Sequence, residues 1–331
     1  MTPFAIGDVV PTTPFAPPAA GGPLRVLCVD DEARILRALK ALFRDLEIHV
    51  TTEPREAAEM ARRHDVDVVV CDQRMPGMLG VDVLREIRHG QPRAMRILLT
   101  GYSDLKSVVG SVNEGEVFRF VNKPWVNTDL RRLVAEAGRI AREAPVVVAD
   151  QPIGEAERAL VRSEVGILVI EDDPVAQQRL REILQPHYVV RFANSAERAM
   201  QVLEQQEIGV LISETETAQG DVTALLKALK QHHPHIATVI VTERANAQTV
   251  IELINEGQVY RMLLKPVRMG SCRLSVDSAL GRYWQLKSNP QAARRYGVAP
   301  AVNAGAAARL SASLLARLKA LPARVLGAYR F

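Results

Sequence analysis

The sequence predicts an α/β protein of two tandem domains, each a parallel sheet with helices on both faces. Three observations predict it. First, the chain repeats itself. RILLTGYSD at 96–104 is followed by VNEGEVFRFVNKPW at 112–125, and TVIVTERAN at 238–246 is followed by INEGQVYRMLLKPV at 254–267. Thr100 and Thr242, Asn113 and Asn255, Gly115 and Gly257, Lys123 and Lys265, and Pro124 and Pro266 are each 142 residues apart. Upstream, RVLCVDDE (25–32) matches GILVIEDD (166–173) at an offset of 141, so one residue is gained between, near Pro186. A period this long suits two copies of one domain rather than a solenoid. Second, short apolar runs alternate with helical patterns inside each copy, which implies a sheet covered on both sides. Third, the run Val68–Cys71 has no polar break, as a strand buried on both faces requires.

The elements follow in order. Val26–Val29 is a short apolar strand ending in acids, and Ile35, Leu39, Leu42 and Phe43 then fall at helical spacing. Ile48–Thr52 is a second strand. Pro54 opens the next helix in its first turn, where proline is tolerated. Val66–Cys71 is the third strand, and a helix around Leu84 and Ile87 leads to strand Met95–Thr100. Ser103 suits an N-cap for a helix carrying Leu105, Val108, Val109 and Val112. Val117–Val121 is the fifth strand, and Leu130, Leu133, Val134 and Ala137 mark the last helix.

Composition agrees with this class. The 331 residues are 47% hydrophobic and 24% charged, enough for two sizeable cores. No run approaches 18 uninterrupted apolar residues, so no membrane span is expected. The N-terminus has no basic region and is broken by Pro3, Pro11, Pro14, Pro17 and Pro18, unlike a secretory signal. Cys28, Cys71 and Cys272 lack metal spacing and suit reduced thiols in the cytoplasm. The net charge of +4 is unevenly distributed. After Asp277 there is no acid but nine basic residues, leaving 33 basic against 38 acidic residues before that point. An acidic body carries a basic tail.

In open parallel sheets the ligand site lies beyond the carboxyl ends of the strands. The residues there in the first copy are Asp30, Asp31, Asp72, Thr100 and Lys123. Two carboxylates 4 Å apart repel by roughly 4 kcal/mol at an effective dielectric near 20, so clustered acids call for a cation. Hard oxygens with room for water suit Mg²⁺. Lys123 and Thr100 are fitted to hold a phosphoryl group by charge and hydrogen bond, and a carboxylate is an established phosphoryl acceptor.

The segments LCVDDE (27–32), VVVCDQRMPGMLGVDVL (68–84), ILLTGYSD (97–104) and FRFVNKPW (118–125) together resemble the receiver domain of bacterial two-component response regulators. LTGYSD and NEG…KPW look most like receivers that precede HD-GYP phosphodiesterase or hydrogenase-regulator output domains. The resemblance covers about residues 24–142 and extends to the second copy. It implies a flavodoxin-like, CheY-like (βα)5 fold with strand order 2-1-3-4-5. It implies that Asp72 accepts phosphoryl from a histidine kinase or phosphotransfer protein, and that Asp30, Asp31 and Asp72 hold Mg²⁺. Thr100 and Lys123 would contact the phosphoryl group, Gly101 would leave room for it, and Phe120 would be the aromatic coupled to activation. The alternative for this set is solvated acids at strand ends.

The second copy departs from that pattern. Glu214 stands opposite Asp72, in VLISE (210–214) against VVVCD (68–72). Glu171, Asp172 and Asp173 keep the acids, and Thr242 and Lys265 are retained. Glu243 replaces Gly101, Met262 replaces Phe120, and TAQ (217–219) replaces MPG (75–77). The expected result is a pseudo-receiver that takes no phosphoryl. Glu214 either reaches Lys265 as a mimic of a phosphorylated aspartate or belongs to a module kept for docking.

The predicted organisation is a disordered Pro-rich segment (1–23), a first receiver (24–143), a linker (144–164) with a short surface helix at 154–164, a degenerate second receiver (165–288), and a basic tail (289–331). His232, His233 and His235 lie in a turn without metal-ligand partners and are expected to be solvated. In the tail, Leu310, Leu314, Leu318 and Leu321 fall at helical spacing and Pro322 stops the run. So short a helix is marginal alone and is expected to dock on a partner groove, an anionic membrane surface or nucleic acid, the alternatives being packing on the protein's own surface or disorder. No phosphate loop, GGDEF, EAL or GYP motif follows. The expected function is therefore a response regulator acting through protein contacts, with no enzymatic activity beyond phosphotransfer and self-dephosphorylation. Its partners would be a kinase or phosphotransfer protein, a downstream output protein, and in one version a second copy of itself. A nucleic-acid-binding tail and a phosphorylation-independent scaffold are the alternatives.

Overall fold

The structure is a computed structural model describing residues 22–101, 117–144, 154–214, 216–218, 220–243, 251, 253–255, 259–296 and 311–321. The Ser103 cap with its helix, most of the N-terminal Pro-rich segment and residues 145–153 of the linker lie outside these.

The first domain runs β1 (Arg25–Val29), α1 (Ala33–Leu42), β2 (Glu47–Thr51), α2 (Ala57–Arg63), β3 (Val68–Asp72), α3 (Gly80–Gly90), β4 (Met95–Thr100), β5 (Arg119–Asn122) and α4 (Asn127–Glu143). Its strands are all parallel in the order β2-β1-β3-β4-β5. A helix α5 (Glu155–Glu164) leads into the second domain. This runs β6 (Gly166–Ile170), α6 (Pro174–Leu184), β7 (Val190–Ala193), α7 (Ala196–Gln205), β8 (Ile208–Ser213), α8 (Thr223–His232), β9 (Ala237–Thr242), β10 (Val259–Leu264) and α9 (Met269–Ser288). Its order, β7-β6-β8-β9-β10, repeats the first. Both sheets thus have the predicted 2-1-3-4-5 topology.

Local chemistry sets the boundaries. Pro54 starts a 3₁₀ turn that feeds α2. Val66, predicted to begin the third strand, instead closes α2: its N–H bonds the Ala61 carbonyl after Asp65 takes a positive φ of 45°. Asp173 caps α6 by accepting from the N–H groups of Val175 and Ala176, with Pro174 following it. The buried Asp67 carboxylate ties three elements together through Arg25, Arg93 and Arg142.

The two faces of each sheet separate by strand alternation. In the first domain Val26, Cys28, Val68, Val70, Ile97 and Leu99 pack under α1 and α4. In the second, Ile167, Val169, Val210, Ile212, Val239 and Val241 pack under α6 and α9. The opposite faces merge. Leu27, Val69, Leu98 and Phe120 of the first domain share one apolar cluster with Leu168, Leu211, Ile240 and Met262 of the second. The domains also meet through a short 3₁₀ helix, Ala292–Tyr296. There the buried Arg295 guanidinium donates to the carbonyls of Ala144 (3.2 Å) and Arg93 (2.5 Å).

The tail helix α10 (Ala312–Lys319) docks on the protein itself, against α7 and α8. In the first domain α2 and α3 pack directly on each other at the corresponding place. Leu314 and Leu318 are buried. Arg317 grips Glu204 through two 2.7 Å bonds. The helix α5 packs similarly on α9, burying Val161 and pairing Arg162 with Asp277 at 2.8 Å.

Candidate functional site

The carboxyl ends of β1, β3, β4 and β5 bring Asp30, Asp72, Thr100 and Lys123 to one place. Lys123 Nζ lies 2.8 Å from Asp30 Oδ2 and 2.5 Å from Asp72 Oδ1. Asp30 is buried, and its other oxygen accepts from the Glu32 N–H at 2.9 Å. Asp72 Oδ2 accepts from the Arg74 N–H at 2.9 Å. Burial raises the Asp72 pKa, and the Asp30 charge adds to this against the opposing pull of Lys123. Burial alone would lower the Lys123 ammonium, but its hydrogen bonds to both carboxylates outweigh that and raise it. One cation thus faces two carboxylates, and the remaining negative charge suits a further cation. Asp31 is exposed and takes no part in the Lys123 contact. Among the described residues no three acidic, histidine or cysteine side chains lie together at metal-binding spacing. Asp30 and Asp72 are hard oxygen donors, with Asp31 next along the chain.

Two glycines shape the site. At Gly80, the first residue of α3, a Cβ would lie 2.0 Å from the Asp72 carbonyl oxygen, so only glycine lets α3 start so close to β3. Among the described residues, no atom would lie within 4 Å of a Cβ at Gly101. The Thr100 hydroxyl donates to the Gly101 carbonyl at 3.2 Å. Cys28 and Cys71 are buried beside the acids, and burial pushes Cys28 up to about 12. They are inert packing groups.

The second domain rebuilds the arrangement with longer acids. Lys265 Nζ lies 2.7 Å from Glu171 and 3.1 Å from Glu214. Glu171 also accepts from the N–H groups of Asp172 (3.2 Å) and Asp173 (3.1 Å). Thr242 is buried and Glu243 exposed at the strand end. Val222 takes the place of Gly80.

Sequence reasoning missed three features. The clearest is Asn255, which bonds the backbone of Phe120 across the domain boundary. Its recurrence at the Asn113 position was a signal without an evident role. The second is the histidine turn, which is half-buried rather than solvated. His233 Nε2 lies 2.9 Å from the Leu318 carbonyl, and His235 packs against Tyr283. The third is Lys230, buried under that turn and donating to the carbonyls of Pro234 (2.8 Å) and Ile236 (3.2 Å). The tail's charge is also used internally in part. Lys287 pairs with Glu207 at 2.6 Å, Arg317 with Glu204, and Arg282 and Arg295 are buried.

The family model described as "Response regulator receiver domain" matches residues 26–135 and 167–277. The hydrogenase transcriptional regulatory protein HoxA of Cupriavidus necator is 38% identical over 113 residues, covering 34% of this chain and 23% of that protein. The regulatory protein AtoC of Escherichia coli is 34% identical over 115 residues, covering 34% of this chain and 25% of that protein. The chain therefore spans about a quarter of the length of these curated relatives. Among solved structures, the signal receiver domain of an HD domain-containing protein from Pseudomonas fluorescens Pf-5 is 30% identical, covering 37% of this chain and 92% of that one, with a TM-score of 0.35.

Proposed function

The chain belongs to the response regulator receiver family through two copies of its domain, and from that premise we propose that the first copy is a phosphoryl switch with Asp72 as acceptor. An Asp72 carboxylate oxygen forms a bond to phosphorus as the bond from phosphorus to the donor breaks. With a phosphohistidine donor, the leaving imidazole nitrogen keeps the electron pair. Lys123 meets the added negative charge, and Thr100 donates a hydrogen bond to a phosphoryl oxygen. Asp30, Asp31 and Asp72 would hold Mg²⁺, which when bound offsets charge on the incoming phosphoryl group. The observation that carries this reading is the single Lys123 ammonium spanning Asp30 and Asp72 at the strand ends. Hydrolysis of the acyl phosphate returns the carboxylate, so phosphotransfer and self-dephosphorylation are its chemistry.

The second copy serves as a pseudo-receiver. Its lysine is paired as in the first copy, but Glu214 stands where the first copy has Asp72 and Glu243 adds charge and bulk where it has Gly101. Signalling then proceeds by protein contacts with a kinase or phosphotransfer protein upstream and an output protein downstream. The internal pairing of Arg317 and Lys287 and the burial of Arg282 and Arg295 weaken the nucleic-acid alternative for the tail. Incubation with radiolabelled acetyl phosphate tests the reading: wild type should label and Asp72→Ala should not, while equal labelling of both would reject it.

A further inference from the structure

Phe120 lies on β5, the outer strand of the first sheet. The Lys123 N–H bonds the Thr100 carbonyl inward at 2.9 Å. By the two-residue alternation of a strand, the N–H and C=O of Phe120 point away from the sheet. Such edge groups, once buried, destabilise unless they find partners. Asn255 of the second receiver satisfies both: its Oδ1 accepts from the Phe120 N–H at 2.8 Å, and its Nδ2 donates to the Phe120 carbonyl at 2.8 Å. One side-chain amide takes the place of a neighbouring strand. Ile251, Leu253 and Ile254, in the helical segment that carries Asn255, are buried in the same cluster as Val117 and Phe120. Three residues beyond Phe120 is Lys123, the ammonium that spans Asp30 and Asp72. The clamp and the site therefore lie on one short stretch of backbone.

We propose that Asn255 is a positioning residue through which the second receiver holds β5 of the first in the arrangement that belongs to unmodified Asp72, so that a phosphoryl group on Asp72 loosens the pairing of the two receivers. This rests on the reading of Asp72 as acceptor. The sign follows from the Lys123 contacts, 2.8 Å to Asp30 and 2.5 Å to Asp72. Lys123 is drawn to two carboxylates at once, and a phosphoryl group on one of them redirects Lys123 and moves the end of β5. Asn255 opposes that movement because both of its bonds fix the Phe120 backbone. Coupling between two sites is reciprocal, so loosening the clamp must tighten binding at Asp72 by the same factor that occupancy at Asp72 loosens the clamp.

The test uses the full chain with Mg²⁺ and beryllofluoride as the phosphoryl mimic. Binding is followed by fluorine-19 NMR and the clamp by hydrogen exchange of the Phe120 amide. Beryllofluoride should speed exchange at Phe120 in wild type and not in Asp72→Ala. Asn255→Ala should bind beryllofluoride about tenfold more tightly, the scale expected for two partly buried hydrogen bonds. A variant that merely misfolds would bind more weakly, so tightening separates coupling from damage. If Asn255→Ala does not fold, the wild-type exchange comparison decides alone. Beryllofluoride that binds without changing Phe120 exchange, or an unchanged or weaker affinity in folded Asn255→Ala, overturns the proposal and leaves Asp72 as acceptor intact. Absence of binding to wild type overturns the acceptor reading and the coupling with it.

Discussion

Replacing Leu318 by alanine should release the tail helix, and replacing Arg317 should not. Leu318 has 0% of its surface exposed, packed with Leu314 against α7 and α8. Truncating a buried leucine costs about 2–5 kcal/mol. A helix docked at the edge of a core relaxes more easily than one in its centre, so about 2–3 kcal/mol is the expected loss. Arg317 and Glu204 make two good bonds, but their side chains remain 36% and 37% exposed. Exposed ion pairs contribute roughly 0–1 kcal/mol. An eight-residue helix is unstable alone, so undocking and unfolding coincide here. Amide hydrogen exchange across 312–319 reads the opening equilibrium directly. At about 1.4 kcal/mol per tenfold, Leu318→Ala should lower protection roughly 30- to 140-fold and Arg317→Ala by less than about fivefold. Greater loss from Arg317→Ala than from Leu318→Ala would refute the argument that apolar burial, rather than charge, seats the tail.

Other outcomes follow from the same contacts. Gly80→Ala should destabilise the first receiver by about 1–3 kcal/mol in urea unfolding, because its Cβ meets the Asp72 carbonyl oxygen at 2.0 Å. Phosphoryl acceptance should fall with it. Glu214→Asp combined with Glu243→Gly should admit acetyl-phosphate label to the second receiver, and wild type should carry none there. Lys230 is pushed down to about 7 by burial. The unfolded chain therefore binds the proton more tightly than the fold, and stability should rise with pH from about 7 toward the ordinary lysine range. Lys230→Met should flatten that rise in thermal unfolding measured across the same pH window.

Much of this architecture was legible because its signals are local and repeated. Leu27 and Val29 against Val26 and Cys28 show the two-residue period of a strand, and each copy repeats it. Asp30, Asp72, Thr100 and Lys123 could be found because each ends an apolar run. The relation between the domains was not legible. Asn255 belongs to a polar pair in a helical pattern, and nothing local tells that its amide will meet the backbone of a strand 135 residues away. The histidine turn has polar composition, but α9 and α10 cover it in the fold, turning solvated groups into packed ones. Lys230 sits between core residues Leu226 and Leu229 and two carbonyls that the sequence does not place. The net charge misled for the same reason. Counting located the basic surplus, but only the fold shows that Arg295 caps carbonyls inside the molecule and that Arg317 has an acid beside it.

Phosphoryl chemistry is expected in the first receiver alone, at Asp72. Treating the full chain with acetyl phosphate and Mg²⁺, reducing the acyl phosphate with borohydride and sequencing the peptides by mass spectrometry locates every modified carboxylate at once. Homoserine is expected at position 72, with Glu171, Asp172 and Glu214 unmodified. Reduction at Glu214, or an unreduced Asp72 in protein that carries phosphoryl elsewhere, would contradict it.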